Sequence, residues 1–160
     1  MNKAIFLDRD GVIIMERGDY NYLEQDITIV EGIAAALREL SKKGYIFIVI
    51  TNQGGIGRGL YSHERVNEIH KQIRIYFESE KVTITDFYYC PHHPSVSACL
   101  CRKPDSLMLE KAMARYHIDP SQAWFIGDTE RDIEAGLKAG VKTLLIPSNA
   151  VLGEYLGMIE

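Results

Sequence analysis

Five short apolar runs recur along the chain, each closed by polar or turn-forming residues: Ala4 to Leu7, Tyr45 to Ile50, Phe87 to Tyr89, Ala123 to Ile126 and Thr143 to Ile146. Most are continuous rather than alternating, the pattern of strands covered on both faces, as in a parallel sheet. Between them lie stretches with helical spacing. Ile33, Leu37 and Leu40 form one stripe, with Gly44 as its stop. Val66, Ile69, Ile73 and Phe77 form a longer one with Ser62 as N-cap, and further stripes run through Leu109, Ala112, Met113 and Tyr116 and through Ile133, Leu137 and Val141. Strand alternating with helix predicts an α/β fold: one doubly wound, Rossmann-like, parallel five-stranded sheet with helices on both faces. The mostly polar segment Met15 to Ile29 is expected to loop over one end of the sheet.

In such a sheet ligands bind beyond the carboxyl ends of the strands. The first run is followed by Asp8 and Asp10, and the second by Thr51-Asn52-Gln53 and a glycine-rich stretch ending in Arg58-Gly59. A cysteine cluster and then Arg102-Lys103-Pro104 follow the third, and Gly127-Asp128-Thr129-Glu130-Arg131-Asp132 the fourth, whereas only Pro147-Ser148-Asn149 follows the fifth. Four strand ends thus carry acids, a hydroxyl, cations or glycines, and this regularity argues for a site.

Alternation along a strand sends Asp8 and Asp10 to one side, and Gly11 allows a sharp turn after them. Two carboxylates so close repel unless something compensates them; a divalent cation would, and Asp128 would join them if the strands are neighbours. The plainer reading is a polar turn after a strand. Asp132 either forms a capping box with Thr129 or supports the site. Thr51 either caps its loop or, with the backbone amides there, holds phosphoryl oxygens. Lys103 would bring two carboxylates, a phosphate dianion and one Mg²⁺ closer to charge balance, and Pro104 is expected to open the next helix. Arg58 either meets a second anionic group of a substrate or is solvated.

The cysteines narrow the picture further. Cys90, His92, Cys99 and Cys101 fall within twelve residues in the pattern C-x-H, six residues, C-x-C, with His93 as an alternative ligand. Three thiolates and an imidazole suit a closed tetrahedral Zn²⁺ site of the structural kind, against the alternative of buried free cysteines. The zinc would clamp an irregular loop over residues 90–101 and fix where Arg102 and Lys103 point.

Length and charge add limits. The 160 residues suit one domain over 1–160, and the formal net charge of −4 with scattered Lys and Arg argues against a nucleic-acid binder. No run approaches a membrane span, the first apolar run is too short for a signal peptide, and a cytoplasmic location is expected.

Together, Asp8-x-Asp10-Gly11, Thr51-Asn52, Lys103 and Gly127-Asp128-x3-Asp132 resemble, in order, the motifs of the haloacid dehalogenase superfamily of phosphotransferases. The Cys90-Pro91-His92-His93-Pro94 and Cys99-x-Cys101-Arg102-Lys103-Pro104 patterns are similar to its zinc-containing branch. The resemblance implies a Mg²⁺-dependent phosphatase in which Asp8 is the nucleophile and forms an aspartyl-phosphate, and Asp10 is the general acid and base. Mg²⁺ would be held by the Asp8 carboxylate, the Asp10 carbonyl and the Asp128 carboxylate. Thr51 and Lys103 would hold the phosphoryl group, and Asn52, Arg58 and Arg102 would meet the rest of the substrate. The implied substrate is a small phosphorylated sugar, a heptose 1,7-bisphosphate losing its 7-phosphate, with histidinol phosphate as the alternative. A binding module that has lost catalysis is the reading from another class. Neither nucleic acid nor membrane is an expected partner, no cap domain is expected, and a monomer is. One departure from the superfamily pattern stands out: Thr129 replaces a frequent lysine after Gly127-Asp128.

Overall fold

The computed structural model describes residues 1–160. Its five strands are β1 (Asn2–Leu7), β2 (Tyr45–Asn52), β3 (Ile84–Cys90), β4 (Ile118–Gly127) and β5 (Lys142–Leu145). They form a single all-parallel sheet in the order β3-β2-β1-β4-β5. The helices α1 (Ile33–Lys42), α2 (His63–Ser79), α3 (Leu107–Tyr116) and α4 (Glu130–Ala139) alternate with the strands, as the apolar spacing predicts.

Strand alternation divides the core in two. Ile5, Leu7, Phe47 and Val49 pack with α1 and α2 through Ile33, Leu37, Ile69, Ile73 and Phe77. Ala4, Phe6, Ile48 and Ile50 pack on the opposite face with Met108, Leu109 and Ala112 of α3 and Ala135 of α4. Covering both faces is why the strand runs are continuous in apolarity.

The helix signals read from the sequence fall close to the observed ends. The Ser62 hydroxyl accepts from the Arg65 amide at 3.1 Å. Thr129 and Asp132 form a capping box at the start of α4. Pro104, however, does not open α3, which begins at Leu107; a turn closed by the Asp105 amide on the Arg102 carbonyl, at 2.9 Å, intervenes. Val141 lies beyond α4, which stops at Ala139 before a left-handed Gly140. The Met15 to Ile29 segment carries a short 3₁₀ turn at Glu24–Asp26 and is tied to the sheet end by a bridge between Ile14 and Ile29. A second 3₁₀ segment, Leu152–Met158, has no counterpart in the sequence reading; its Leu152 joins the α1 side of the core.

The strand order changes direction at β1. Sequence proceeds outward through β2 to β3 on one side and through β4 to β5 on the other. The carboxyl ends of β1, β2 and β4 therefore sit beside one another, with Leu7 opposite both Val49 and Ile126. Loops diverge at such a switch point and leave a crevice.

Candidate active site

The crevice is a cavity of about 370 Å³ with eighteen lining residues, of which one is hydrophobic. Asp8, Asp10, Thr51, Asn52, Arg102, Lys103 and Asp128 all line it, so the separate sequence signals converge. Arg58 is not among the lining residues; its Nη1 donates to the Tyr20 hydroxyl at 3.2 Å.

At its floor Lys103 is 3 % exposed, and its Nζ donates to Asp8 Oδ1 at 2.8 Å, Asp132 Oδ1 at 2.6 Å and the Ile50 carbonyl at 2.9 Å. Burial would lower the Lys103 pKa, but Asp8 and Asp132 outweigh it and hold the ammonium above the usual lysine range. One ammonium between two carboxylates leaves one negative charge in excess. Burial first, then the nearby acids, raise the Asp8 pKa well above the usual carboxylate value, against the pull of Lys103.

Asp132 is occupied on both oxygens. Oδ1 takes Lys103, and Oδ2 takes the Asp128 and Thr129 amides at 3.2 Å each and the Thr129 hydroxyl at 3.0 Å. The capping and site-support readings of Asp132 are thus one arrangement: the residue that starts α4 also anchors the lysine.

Asp128 is arranged differently. Its Oδ2 accepts from the Ser148 hydroxyl at 2.8 Å, while its Oδ1 is buried with no hydrogen-bond partner. Asp8, Asp128 and Asp132 each bring a carboxylate oxygen within 4.8 Å of the others. The Asp10 carbonyl accepts no backbone hydrogen bond. Buried polar atoms are almost always paired, so an orphaned carboxylate oxygen beside a second carboxylate suits these residues to holding a divalent cation. Gly11 makes the approach possible: with φ of +96°, a Cβ built there would lie 2.0 Å from Asp128 Oδ2.

Asp10 lies one residue from Gly11 and has other company. Oδ1 accepts from Arg9 Nη2 at 3.1 Å and Asn21 Nδ2 at 2.9 Å; Oδ2 accepts from Arg9 Nε at 3.2 Å and Gln53 Nε2 at 3.1 Å. Gln53 is held in turn by the Tyr61 hydroxyl, which donates to its Oε1 at 2.7 Å. Sequence reading passed over Arg9, Asn21, Gln53 and Ser148 as individual contributors. Thr51 Oγ1 accepts from Gln53 Nε2 at 2.9 Å. Asn52 is engaged at both ends of its amide with the Lys103 backbone, at 3.0 and 3.1 Å, so it braces the lysine's segment.

Cys90 ends β3 and begins the cysteine loop. Its Sγ is 3.7 Å from Cys99 Sγ and 3.4 Å from His92 Nδ1, and His92 Nδ1 is 3.3 Å from Cys101 Sγ; Cys90 and Cys101 are closer, at 2.6 Å. A tetrahedron built on metal–sulfur bonds of about 2.3 Å has edges of roughly 3.5–3.8 Å, near three of these separations. His93 stands apart, with its Nδ1 on the Ser95 hydroxyl at 2.7 Å, and lines the cavity. The loop packs on the glycine stretch after β2: the Gly57 amide donates to the Pro91 carbonyl, and a Cβ at Gly57 would lie 2.9 Å from that oxygen. Arg102 Nη1 donates to the His92 carbonyl at 3.1 Å, so the cluster also sets the arginine's position on the cavity wall.

Comparison with known proteins bears on this arrangement. Residues 100–154 match a family model described as HAD-hydrolase-like. A D-glycero-beta-D-manno-heptose-1,7-bisphosphate 7-phosphatase from Haemophilus influenzae is 38 % identical, over 100 % of this chain and 90 % of its own. The chain belongs to the haloacid dehalogenase-like phosphatases. A relative of the same description from Escherichia coli K12 is 36 % identical over 89 % of this phosphatase and 78 % of its own length. A solved D,D-heptose 1.7-bisphosphate phosphatase from B. bronchiseptica, complexed with magnesium and phosphate, matches this phosphatase with a TM-score of 0.87 at 25 % identity, covering 98 % of each chain. A HAD-like phosphatase from Mesorhizobium loti matches with a TM-score of 0.83 at 28 % identity, over 90 % of this chain and 72 % of its own.

Replacing Lys103 by Met keeps the length of the side chain and removes the charge. Asp8 and Asp132 would then face each other, buried and unpaired. The loss of stability in urea, with chelator at neutral pH, is expected to be about 3–5 kcal/mol. Because losing the ammonium would raise the Asp8 pKa further above its unfolded value, the deficit should shrink as pH falls through that raised value. A loss below about 1 kcal/mol, at neutral pH, would show that the ammonium does not hold the acids together.

Proposed function

We propose that this phosphatase removes the 7-phosphate from D-glycero-D-manno-heptose 1,7-bisphosphate through an aspartyl-phosphate on Asp8, with Mg²⁺ as cofactor. The observation that carries the reading is the unpartnered Asp128 Oδ1 beside Asp8, in a polar cavity of a chain 38 % identical, over its whole length, to a phosphatase of that description.

Mg²⁺ would be held by the carboxylates of Asp8 and Asp128 and the Asp10 carbonyl, and it would supply charge to draw an anionic nucleophile and an anionic phosphate together. Asp8 Oδ1 is taken by Lys103 and the Arg9 amide, which leaves Oδ2. In the first step Asp8 attacks phosphorus, the bond to the sugar oxygen breaks, and Asp10 gives that oxygen its proton. In the second, Asp10 takes a proton from water, which attacks the aspartyl-phosphate and frees inorganic phosphate with Asp8 restored. Thr51 and Lys103 stabilise charge on the phosphoryl oxygens. Arg102, on the wall, faces the remainder of the substrate. Asn52 acts through the Lys103 backbone, and Arg58 stays outside the cavity on Tyr20.

The cysteine cluster is read as a structural Zn²⁺ site of Cys90, His92, Cys99 and Cys101, closed to chemistry. No helix is long and apolar enough to cross a membrane, and we place the enzyme in the cytoplasm, where its small phosphorylated substrate would be met.

Asp8→Asn should fold as the parent does and release no phosphate above background from the heptose bisphosphate; retained Mg²⁺-dependent turnover would remove Asp8 from its role. For the parent, kcat/KM on heptose bisphosphate should exceed that on histidinol phosphate by at least about 100-fold, since a site built for one substrate's polar groups rejects an analogue lacking them. The reverse order would reassign the substrate.

Elemental analysis of purified protein should give about one zinc per chain, and stripping it should lower the melting temperature. Metal-free protein of undiminished stability would dismiss the zinc clamp.

A further inference from the structure

Arg9 lies between the two acids of β1's end, and its side chain is 0 % exposed. Four of its five N–H donors are engaged in the interior. Nε and Nη2 grip the two Asp10 oxygens as a fork, Nη2 also donates to the Asn21 carbonyl at 3.1 Å, and Nη1 meets His70 Nε2 at 3.2 Å. A guanidinium is planar, so holding one edge orients the other. His70 comes from the middle of α2, on its buried stripe beside Ile69 and Ile73. Its ring stacks on Phe87, with centroids 4.6 Å apart and planes at 17°, and meets the edge of Tyr89.

Arg9 always donates, so His70 Nε2 accepts, and the imidazole proton sits on Nδ1. Burial, then Arg9 and Arg74, hold its pKa well below the usual histidine value. The group is thus a fixed neutral acceptor. Nothing else takes the Nη1 edge of Arg9, and without His70 that whole edge would be buried with no acceptor, at the desolvation cost of a charged donor.

We propose that His70 is a positioning residue for proton transfer by Asp10: through Arg9 it fixes the plane and direction of the Asp10 carboxylate. The inference rests on Asp10 being the general acid and base in the reading above. It separates two acids that are one residue apart in the chain. Asp8 is aligned by Lys103 from the α3 and α4 side of the sheet, and Asp10 by Arg9 and His70 from the α2 side. Proton transfer depends steeply on geometry, whereas His70 touches neither Asp8 nor the cavity, so substrate binding should be indifferent to it.

His70→Phe keeps a flat ring on Phe87 and removes the acceptor; His70→Gln places a carbonyl oxygen near the former Nε2. On heptose bisphosphate, His70→Phe should lower kcat by about 10–100-fold with KM within about 2-fold, and His70→Gln should keep kcat within about 3-fold of the parent. A parent-like kcat in the Phe variant, or an equal fall in both variants, would overturn the proposal. A second readout needs no turnover: the Nε–H resonance of Arg9 in ¹⁵N-labelled protein, identified by its absence in Arg9→Lys. It should stay protected from exchange in the parent and the Gln variant and lose protection in the Phe variant. Retained protection there refutes the link. If the parent itself released no phosphate from the bisphosphate, the substrate reading would fail while this resonance still judged the contact between His70 and Arg9.

Discussion

A single ammonium, Lys103, sits out of water between two carboxylates that come from different parts of the chain. Asp8 ends the first strand, Asp132 begins the last helix, and Lys103 follows the cysteine loop. At about 4 Å and an effective dielectric near 20, each unlike pair contributes roughly 4 kcal/mol before desolvation is counted. Desolvation offsets much of that, so the cluster is better understood as a device for registry than as a source of stability. It fixes three segments relative to one another and leaves the floor of the cavity with one negative charge too many. The raised Asp8 pKa, which burial sets first, expresses that excess in part. So does the orphaned Asp128 oxygen close by. A divalent cation answers both.

The two acids of Asp8-Arg9-Asp10 have opposite surroundings, and the backbone explains how. Asp8 still belongs to the sheet end, where its amide donates to the Ile126 carbonyl at 3.1 Å. Asp10 is already in the turn that Gly11 closes, and it is turned toward Asn21 and Gln53. Between them Arg9 runs under the loop to α2. A nucleophile needs a nearby cation and little freedom; a proton carrier needs a defined direction and contact with the cavity. Asp8 has the first kind of environment and Asp10 the second, because the residue separating them carries its own charge into the core.

Much of the fold was legible in the sequence because burial on both faces of a parallel sheet forces continuous apolar runs, and because Ser62 and Thr129 advertise helix starts. The acids, Thr51, Lys103 and the cysteine pattern were legible for a related reason: each lies where a strand must end, so topology alone gathers them. What escaped was set by long side chains choosing partners in three dimensions. Arg9 and Arg58 are indistinguishable as letters, yet one is the largest fully buried side chain and the other rests on Tyr20 outside the cavity. Asn52 was read as facing substrate; it lines the cavity and also braces the Lys103 backbone, a second task its letter does not announce. Ser148 and Asn149 were passed over as the end of β5, but Ser148 orients Asp128, and Asn149 exchanges hydrogen bonds with the Glu16 backbone in the loop above. His70 did leave a trace: its position on the apolar stripe of α2 is one that a solvated histidine would not take.

The charges of the cavity decide how an anion can enter it. Its walls carry six acids, Asp8, Asp10, Glu16, Asp19, Asp128 and Asp132, against the cations Arg102, Lys103 and Arg131. Arg9, which is bonded to Asp10 from behind, brings the balance to two negative charges. One divalent cation makes the cavity neutral, and only then does a phosphate dianion meet no net repulsion there. Lys103 cannot serve that purpose alone, because Asp8 and Asp132 already claim it. Arg131 makes no ion pair within the chain and is the second residue of α4, so it adds a free cation to the wall just after Thr129, the position where the superfamily often has lysine. Attraction for the substrate would therefore come from the rim and from a bound cation, while the buried lysine holds Asp8 still. That separation of tasks allows a floor crowded with carboxylates to work on a substrate of the same sign.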